Sequence, residues 1–364
     1  MSHIELLTRL GWDDHFAGEA ERLGFDMAEI ARVSGVRRKG FVVRRGDESW
    51  MVKAAGRLKR AKFYPVAGDW VVVNQKNVIT DVLPRRNALS RGAAGVSRKE
   101  GGPAVEEQVM ASNLDAVLIV CGLDGDFNLR RIERYQTLIY NCELKAVIVL
   151  TKADLQAKRD EMVKEVMDVV GGTGGVEVHV VGMDDEVGMD GVRRHLNAGE
   201  TITMIGSSGA GKSTLINRLL GEELQVTGAV SDAVGKGKHT TTKRDLIMMP
   251  NGGMVIDNPG IREVAFWGDE GGVDATFPEI DDVAGMCKFG DCSHTHEPGC
   301  AVRAGVESGE IKQERLESYL KMRGEMSRLA ERQEKGVNRA EKERLKGLSI
   351  KIRDVQMRKG GKRR

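Results

Sequence analysis

The stretch that decides the fold is Gly206-Ser207-Ser208-Gly209-Ala210-Gly211-Lys212-Ser213-Thr214. An apolar run at residues 201–205 precedes it and is typical of a buried strand, and residues 213–220 have the spacing of a helix. Glycines in such a loop let backbone amides surround phosphate oxygens, while Lys212 reaches the β- and γ-phosphates and Ser213 offers its hydroxyl to Mg²⁺. The pattern therefore predicts a nucleoside-triphosphate site.

Two further segments are predicted to contact Mg²⁺ and the γ-phosphate. A short buried-strand pattern ends in Asp257-Asn258-Pro259-Gly260, where the Asp257 carboxylate would approach Mg²⁺ through water and the Gly260 amide would meet the γ-phosphate. Between this segment and the phosphate loop lies a threonine cluster, in which Thr241 or Thr242 is expected to offer Mg²⁺ a second hydroxyl. A solvated loop is the alternative interpretation of the cluster.

The segment predicted to recognise the base is Thr151-Lys152-Ala153-Asp154, which follows a strand pattern at residues 145–150. The Asp154 carboxylate can accept hydrogen bonds from guanine N1 and N2, and the Lys152 stem can lie over the base. Thr151 stands where GTPases usually have Asn. Val180-Val181-Gly182-Met183 stands where GTPases usually have a Ser-Ala backbone contact to the base. We therefore expect weaker selectivity for guanine over adenine than is usual.

The order of these segments is reversed relative to an ordinary GTPase, because the base-recognition segment precedes the phosphate loop. Ligand loops of a doubly wound sheet meet at the carboxyl ends of the strands whatever the connectivity, so the site can survive a circular permutation. Strand patterns at residues 114–120 and 176–181, with helical patterns at 129–142 and near 192–196, predict a mostly parallel sheet. The sequence therefore predicts a circularly permuted α/β domain.

The amino-terminal part has a different pattern. Short runs at residues 33–36, 40–44, 49–53 and 69–73, punctuated by turn residues, predict a small five-stranded barrel, a fold that commonly binds oligonucleotides. Residues 1–30 have helical spacing, and no chemistry is assigned to them. Residues 85 to about 105 are rich in Gly, Ala, Ser and Arg and predict a mobile basic linker.

Charge is segregated along the chain although the 364 residues carry a net charge of only +2. Residues 31–100 contain 17 Lys or Arg and 5 Asp or Glu, and residues 321–364 contain 16 and 6. The rest of the chain must then be net acidic, and the two basic segments favour nucleic-acid binding, because neutralising phosphates releases counterions. Solvated surface charge is the alternative interpretation.

Three of the five cysteines lie close together, in the spacing Cys287-x4-Cys292-x-His294-x5-Cys300. Three thiolates and one imidazole suit a closed, tetrahedral structural zinc site, with free thiols as the alternative and His296 as a competing imidazole. The odd cysteine count without a secretory leader predicts a reducing, cytoplasmic location. Apolar runs of at most seven or eight residues argue against a membrane role.

The group that positions the attacking water is harder to assign. Ile261 follows the Gly260 position, where many GTPases have a Gln. His239 is a candidate because an imidazole can accept a hydrogen bond from water near neutral pH. A K⁺ ion or a group supplied by a macromolecular partner is the alternative.

The chain resembles the circularly permuted, ribosome-associated GTPases of the RsgA family over nearly its whole length. The segments that carry the resemblance are residues 63–70, 83–91, 126–135, 239–242 and 257–263. The resemblance implies an amino-terminal OB-fold, a permuted P-loop GTPase domain and a carboxy-terminal zinc-binding helical domain. It also implies a role in late maturation of the small ribosomal subunit, and its Cys-x-His-x-x-Glu-Pro-x-Cys pattern makes His294 the zinc ligand.

Together, these patterns and the resemblance predict how the chain divides into domains and which reaction it catalyses. The expected parts are a helical extension at 1–30, an OB-fold at 31–84, a linker at 85–105, the GTPase domain at 106–268 and the zinc-binding domain at 269–364. The expected enzyme is a monomer that hydrolyses GTP to GDP with Mg²⁺, is stimulated by the small ribosomal subunit and contacts its rRNA. The alternatives are a GTP-regulated rRNA-binding module whose hydrolysis is incidental, and a P-loop ATPase or metabolic kinase.

Overall fold

The structure, a computed structural model, describes residues 2–61, 63–92, 107–170, 175–221, 244–258, 266–267 and 271–334. Its strands, numbered along the chain, are β1 Ile30–Arg37, β2 Gly40–Arg45, β3 Glu48–Ala54, β4 Trp70–Val73, β5 Val78–Val82, β6 Ala88–Gly92, β7 Glu107–Ser112, β8 Ala116–Gly122, β9 Ala146–Thr151, β10 Glu177–Val181, β11 Thr201–Ile205, β12 Arg244–Met248 and β13 Met254–Asp257. Its α-helices are His3–Thr8, Asp14–Leu23, Gly56–Arg60, Leu129–Tyr140, Arg159–Val170, Glu186–Arg193, Lys212–Leu220, Gly271–Thr276, Pro278–Ala284, Ala301–Ser308 and 313–334.

A five-stranded barrel forms near the amino terminus, as predicted. Its strands follow the order β1-β2-β3-β5-β4, and β4 pairs with β1 to close the barrel. Gly46 has φ 58° in the hairpin between β2 and β3, a conformation that glycine adopts readily. Alternate side chains such as Val33, Val43 and Ile79 point inward and are fully buried.

The first thirty residues cover the junction between the barrel and the central sheet. Ser2 and Glu5 form a capping box at the start of the first helix, and Asp13 caps the second helix. The Trp12 ring meets the Trp70 ring edge-on with centroids 4.8 Å apart. The amino-terminal helices, within residues 1–30, therefore contribute buried side chains to the hydrophobic core.

The central sheet is parallel and doubly wound, as predicted. Strands β10-β9-β8-β11-β13 run parallel, and β12 joins β13 antiparallel. Strand β12 also pairs with barrel strand β1 through Gly35↔Asp245 and Val36↔Arg244. The barrel and the central sheet therefore share one continuous hydrogen-bonded sheet, a feature that the sequence did not indicate.

The start of the predicted linker is part of the fold. Residues Ala88–Gly92 form β6, which pairs with β7, and Arg85 donates to the buried Asp69 carboxylate at 2.7 Å. A buried carboxylate needs such a partner, because removing its charge from water is costly. The basic linker prediction was therefore wrong for residues 85–92, and residues 93–106 lie outside the described part of the chain.

The carboxy-terminal helices pack on helix Leu129–Tyr140 of the central domain. Arg315 pairs with Glu133 at 2.6 Å, and both side chains are less than 10% exposed. The Ser318 hydroxyl also donates to Glu133, and Thr137 bonds Thr276 across the same interface at 2.9 Å. Within the described ranges, no helix is both long and apolar enough to cross a membrane.

Candidate nucleotide site and metal cluster

The phosphate loop joins β11 to helix Lys212–Leu220 at the carboxyl edge of the parallel sheet. Gly206, Gly209 and Gly211 have φ values of 152°, 84° and 97°. A side chain at Gly206 would collide with the Val120 carbonyl oxygen, so this position needs glycine for a close backbone approach as well. Gly211 precedes the helix and has no side chain to cap it, so the first amides remain available to an anion.

Side chains around the loop hold it in place. Lys212 Nζ donates to the carbonyl oxygens of Gly206 at 2.7 Å and Ser207 at 2.5 Å, which places the ammonium over the loop. The Ser207 hydroxyl donates to the Asp126 carboxylate, which also pairs with Arg131 at 2.8 Å. Asp126 and Arg131 belong to one of the segments that carry the family resemblance, but no motif in the sequence indicated this contact.

The base-recognition segment lies directly beside the phosphate loop. The Thr151 hydroxyl donates to the Ala210 carbonyl oxygen at 2.6 Å, and a Cβ at Gly211 would lie 3.1 Å from Thr151 Oγ1. Lys152 has φ 59° and its ammonium lies 2.6 Å from Asp124 Oδ2, a hydrogen bond that lowers the pKa of Asp124. The fold thus brings residues 151–154 next to the phosphate loop, although they precede it in the chain.

A loop after β10 orients the Asp154 carboxylate. The Met183 amide donates to Asp154 Oδ1 at 2.9 Å, and Arg218 of the phosphate-loop helix donates to the Gly182 carbonyl oxygen at 2.7 Å. Arg218 also donates to the Asp185 carbonyl oxygen at 3.2 Å. The sequence analysis did not identify Arg218 as part of the site, because its position in a helical pattern does not show which loop its side chain contacts.

The Mg²⁺ side of the site is described only in part. Asp257 ends β13, which lies beside β11 in parallel register through Thr203↔Ile256. The following Asn258 is buried and donates to Thr203 Oγ1 at 3.2 Å. This arrangement brings Asp257 to the same edge of the sheet as Ser213. The other predicted residues of this side of the site, His239, Thr241, Thr242 and Gly260, lie outside the described ranges.

The predicted cysteine–histidine group forms a cluster. The ligand atoms of Cys287, Cys292, His294 and Cys300 all lie within 4.8 Å of one another. His294 Nδ1 is 3.6 Å from Cys287 Sγ and 3.5 Å from Cys300 Sγ, whereas exposed His296 bonds the Thr295 hydroxyl at 2.8 Å. Burial lowers the pKa of His294, which keeps its imidazole in the neutral form that binds metals.

Cys121 and Cys142 lie away from this cluster. Cys121 is buried in β8, and Cys142 Sγ accepts from the Ser90 amide at 3.4 Å. Burial raises the pKa of Cys142 to about 11, so this thiol stays protonated and unreactive at neutral pH.

A parallel doubly wound sheet, a glycine-rich phosphate loop and, before it in the chain, the segment predicted to recognise the base are the features of a circularly permuted P-loop GTPase. The sequence model of the RsgA GTPase family matches residues 82–267. The chain belongs to the RsgA GTPase family, and it is a GTP-hydrolysing enzyme.

Named relatives resemble the chain over most of its length. A protein of Methanosarcina acetivorans named small ribosomal subunit biogenesis GTPase RsgA is 43% identical over 82% of this chain and 80% of its own. A protein of Syntrophotalea carbinolica with the same name is 40% identical over 94% of this chain and 95% of its own. The crystal structure of YjeQ from Thermotoga maritima superposes with a TM-score of 0.60 and 26% identity, over 82% of this chain and 98% of that one.

Proposed function

We propose that this GTPase binds the small ribosomal subunit and assists its late maturation, with hydrolysis stimulated by the subunit. The single observation that carries the proposal is the contact of the Thr151–Asp154 segment with the phosphate loop, through the Thr151 hydroxyl and the Ala210 carbonyl oxygen, in a chain that also has a basic barrel. The relatives named above carry small ribosomal subunit biogenesis in their names. A GTP-regulated rRNA-binding module with incidental hydrolysis is the second candidate, supported by the same barrel.

The chemistry proposed for the site is in-line attack of water on the γ-phosphate. Ser213 and Asp257 supply a hydroxyl and a carboxylate, which suit Mg²⁺ because it prefers oxygen ligands, and Thr241 or Thr242 would add a second hydroxyl. When bound, Mg²⁺ neutralises charge on the phosphate oxygens. Lys212 binds the β- and γ-phosphates, the Gly260 amide meets the γ-phosphate, and His239 accepts a hydrogen bond from the attacking water.

The barrel offers a surface suited to RNA. Helix Gly56–Arg60 carries exposed Lys59 and Arg60, and Phe63 and Tyr64 follow it with 41% and 55% of their surfaces exposed. The Arg85 guanidinium lies 4.9 Å from the centre of the Phe63 ring. Cations bind the backbone phosphates of RNA and exposed rings stack on its bases, so we assign rRNA contact to this surface.

The test of the proposed function is steady-state hydrolysis of GTP and of ATP, each with and without purified small ribosomal subunits at fixed low salt. We expect turnover that is selective for GTP and rises at least about tenfold with subunits, a size typical of one added stabilising contact. Nucleotide-dependent subunit binding without faster turnover would favour the regulated binding module. Equal turnover of ATP, or no response to subunits, would contradict the proposal.

Replacing Asp154 with Ala is expected to abolish selectivity for guanine. The variant loses the acceptors for guanine N1 and N2, and hydrogen bonds to a charged group contribute about 1.5–3 kcal/mol. We expect the affinity for GDP to fall at least about tenfold while the already weak affinity for ADP changes little. Competition of each nucleotide with a fluorescent GDP analogue measures both affinities, and Asp160→Ala on an exposed surface of the same domain is the control.

We further propose that the cluster of Cys287, Cys292, His294 and Cys300 binds one structural zinc ion. Two thiolates on one tetrahedral zinc lie about 3.8 Å apart at ordinary Zn–S distances. Cys287 Sγ and Cys300 Sγ are 3.9 Å apart, so the residues fit the ion. A bound zinc would hold the loop at 287–300 against the carboxy-terminal helices.

Replacing Cys292 with Ser is expected to remove this zinc and to lower the thermal unfolding midpoint of the carboxy-terminal domain. Three remaining ligands hold zinc more weakly, and zinc binding contributes directly to folding. Elemental analysis of dialysed protein measures the metal, and scanning calorimetry measures the midpoint. His296→Gln is the matched control, because this imidazole lies outside the cluster; loss of zinc from His296→Gln with retention in Cys292→Ser would reverse the ligand assignment.

A further inference from the structure

A second group of metal-ligating side chains lies at the other end of the central sheet. Glu177 and His179 are two residues apart on β10, so their side chains leave the strand on the same face. His195 follows helix Glu186–Arg193 and meets them from the side. The three ligand atoms all lie within 4.8 Å of one another. Glu177 starts β10, about 13 Å of strand away from Val181 at the nucleotide edge.

The two imidazole nitrogens are spaced like ligands on one ion, and the carboxylate oxygen lies slightly farther away. His179 Nε2 and His195 Nε2 are 3.0 Å apart, and Glu177 Oε2 lies 3.9 Å and 3.6 Å from them. Two nitrogens at ordinary Zn–N distances lie about 2.9 Å apart in octahedral and about 3.3 Å apart in tetrahedral geometry. The imidazoles are thus already at ligand spacing, and the carboxylate oxygen needs to approach them by about 0.3–1 Å.

The two oxygens of the Glu177 carboxylate face different partners. Lys145 lies 3.0 Å from Glu177 Oε1, which leaves Oε2 as the oxygen nearest the imidazoles. The Glu177 side chain is 45% exposed, so an ion can enter from solvent.

The neighbouring helix leaves room for the His179 ring. A Cβ at Gly191 would lie 2.5 Å from His179 Nδ1, so any larger residue would displace the imidazole. A hydrogen bond between the two imidazoles is the alternative explanation of their short separation, and in that case the pair would bind no ion.

We propose that Glu177, His179 and His195 form a second site, which binds a divalent transition-metal ion such as Zn²⁺, Ni²⁺ or Co²⁺. Two imidazoles and one carboxylate suit these ions, and water completes the coordination. The site is separate from both the Cys287–Cys300 cluster and the nucleotide. A bound ion links edge strand β10 to the turn before β11, the strand that leads into the phosphate loop.

The test is titration of untagged, full-length, zinc-loaded protein with Ni²⁺ in a calorimeter after excess zinc has been removed. We expect one saturable Ni²⁺ ion per chain and a higher thermal midpoint in its presence. His179→Gln and His195→Gln are each expected to weaken binding at least about tenfold, since each removes one of three protein ligands. His3→Gln, at an exposed position, is expected to leave it unchanged.

Two further variants separate this site from the others. Glu177→Gln alters an exposed side chain, preserves the fold and is expected to weaken Ni²⁺ binding several-fold. Cys292→Ser is expected to retain the Ni²⁺ site, because its change lies in the other cluster. The proposal is overturned if the wild-type protein shows no saturable Ni²⁺ binding, if all three changes at the site leave the affinity unchanged, or if Cys292→Ser loses the same ion.

Discussion

Replacing Lys212 with Ala is expected to reduce kcat/KM for GTP about 10²- to 10³-fold, a loss typical of removing one preorganised group that stabilises transition-state charge. The Lys212 ammonium already lies over the phosphate loop, within 2.7 Å of the Gly206 carbonyl oxygen. In the proposed site it would lie where negative charge develops as the bond to the γ-phosphate breaks. Steady-state hydrolysis gives kcat/KM, and equilibrium binding of a fluorescent GDP analogue separates lost affinity from lost chemistry.

Lys164→Ala is the matched control for this change. Lys164 is exposed on helix Arg159–Val170 of the same domain, so its removal changes the net charge equally without touching the loop. We expect wild-type kinetics for Lys164→Ala. Wild-type kinetics for Lys212→Ala would contradict the assignment of the phosphate loop.

The second large effect is expected at the interface between the central domain and the carboxy-terminal helices. Replacing Arg315 with Ala leaves the Glu133 carboxylate, whose side chain is 4% exposed, without its 2.6 Å partner. Breaking a buried ion pair by removing one partner typically costs about 3–5 kcal/mol. We expect the free energy of unfolding of the carboxy-terminal helices to fall by this amount, or these helices to separate from the central domain. Calorimetry or denaturant titration measures the change.

The double variant Glu133→Gln with Arg315→Met tests the cause. It removes both charges and keeps most of the volume, so it is expected to be less destabilised than Arg315→Ala. Glu317→Ala is the matched control, because the Arg130–Glu317 pair crosses the same interface at 3.4 Å with both side chains 52% exposed. Exposed pairs contribute little, so this variant should unfold almost as the wild type does. An equally large effect in Glu317→Ala would contradict the argument from burial.

Motifs whose chemistry lies within a few consecutive residues were predictable from the sequence. The phosphate loop needs positive φ at closely spaced positions, and only glycine meets that need readily. The cysteine–histidine group likewise lies within fourteen residues. Short apolar runs between turn residues indicated the barrel, because strand periodicity is local. The order of Asp154 and Lys212 along the chain indicated the permutation.

Contacts between distant parts of the chain were not predictable in this way. Arg218 donates a hydrogen bond to the carbonyl oxygen of Gly182, which lies 36 residues earlier in the chain. Nothing in the helical pattern around Arg218 distinguishes it from other arginines. Arg85 lay in a stretch whose composition is typical of a linker, but burial of Asp69 requires a cationic partner there. Pairing of β12 with β1 depends on two edges that are more than 200 residues apart.

The sequence by itself determined the class of enzyme, predicted where its phosphate and base segments lie, and grouped its cysteines, because each depends on residue types at short, fixed spacing. The tertiary structure alone decided which side chains hold those segments in place, how the barrel continues into the central sheet, and that Glu177, His179 and His195 meet. The physical reason is that burial makes each polar group require a partner, and only folding determines which distant residue lies close enough to provide it.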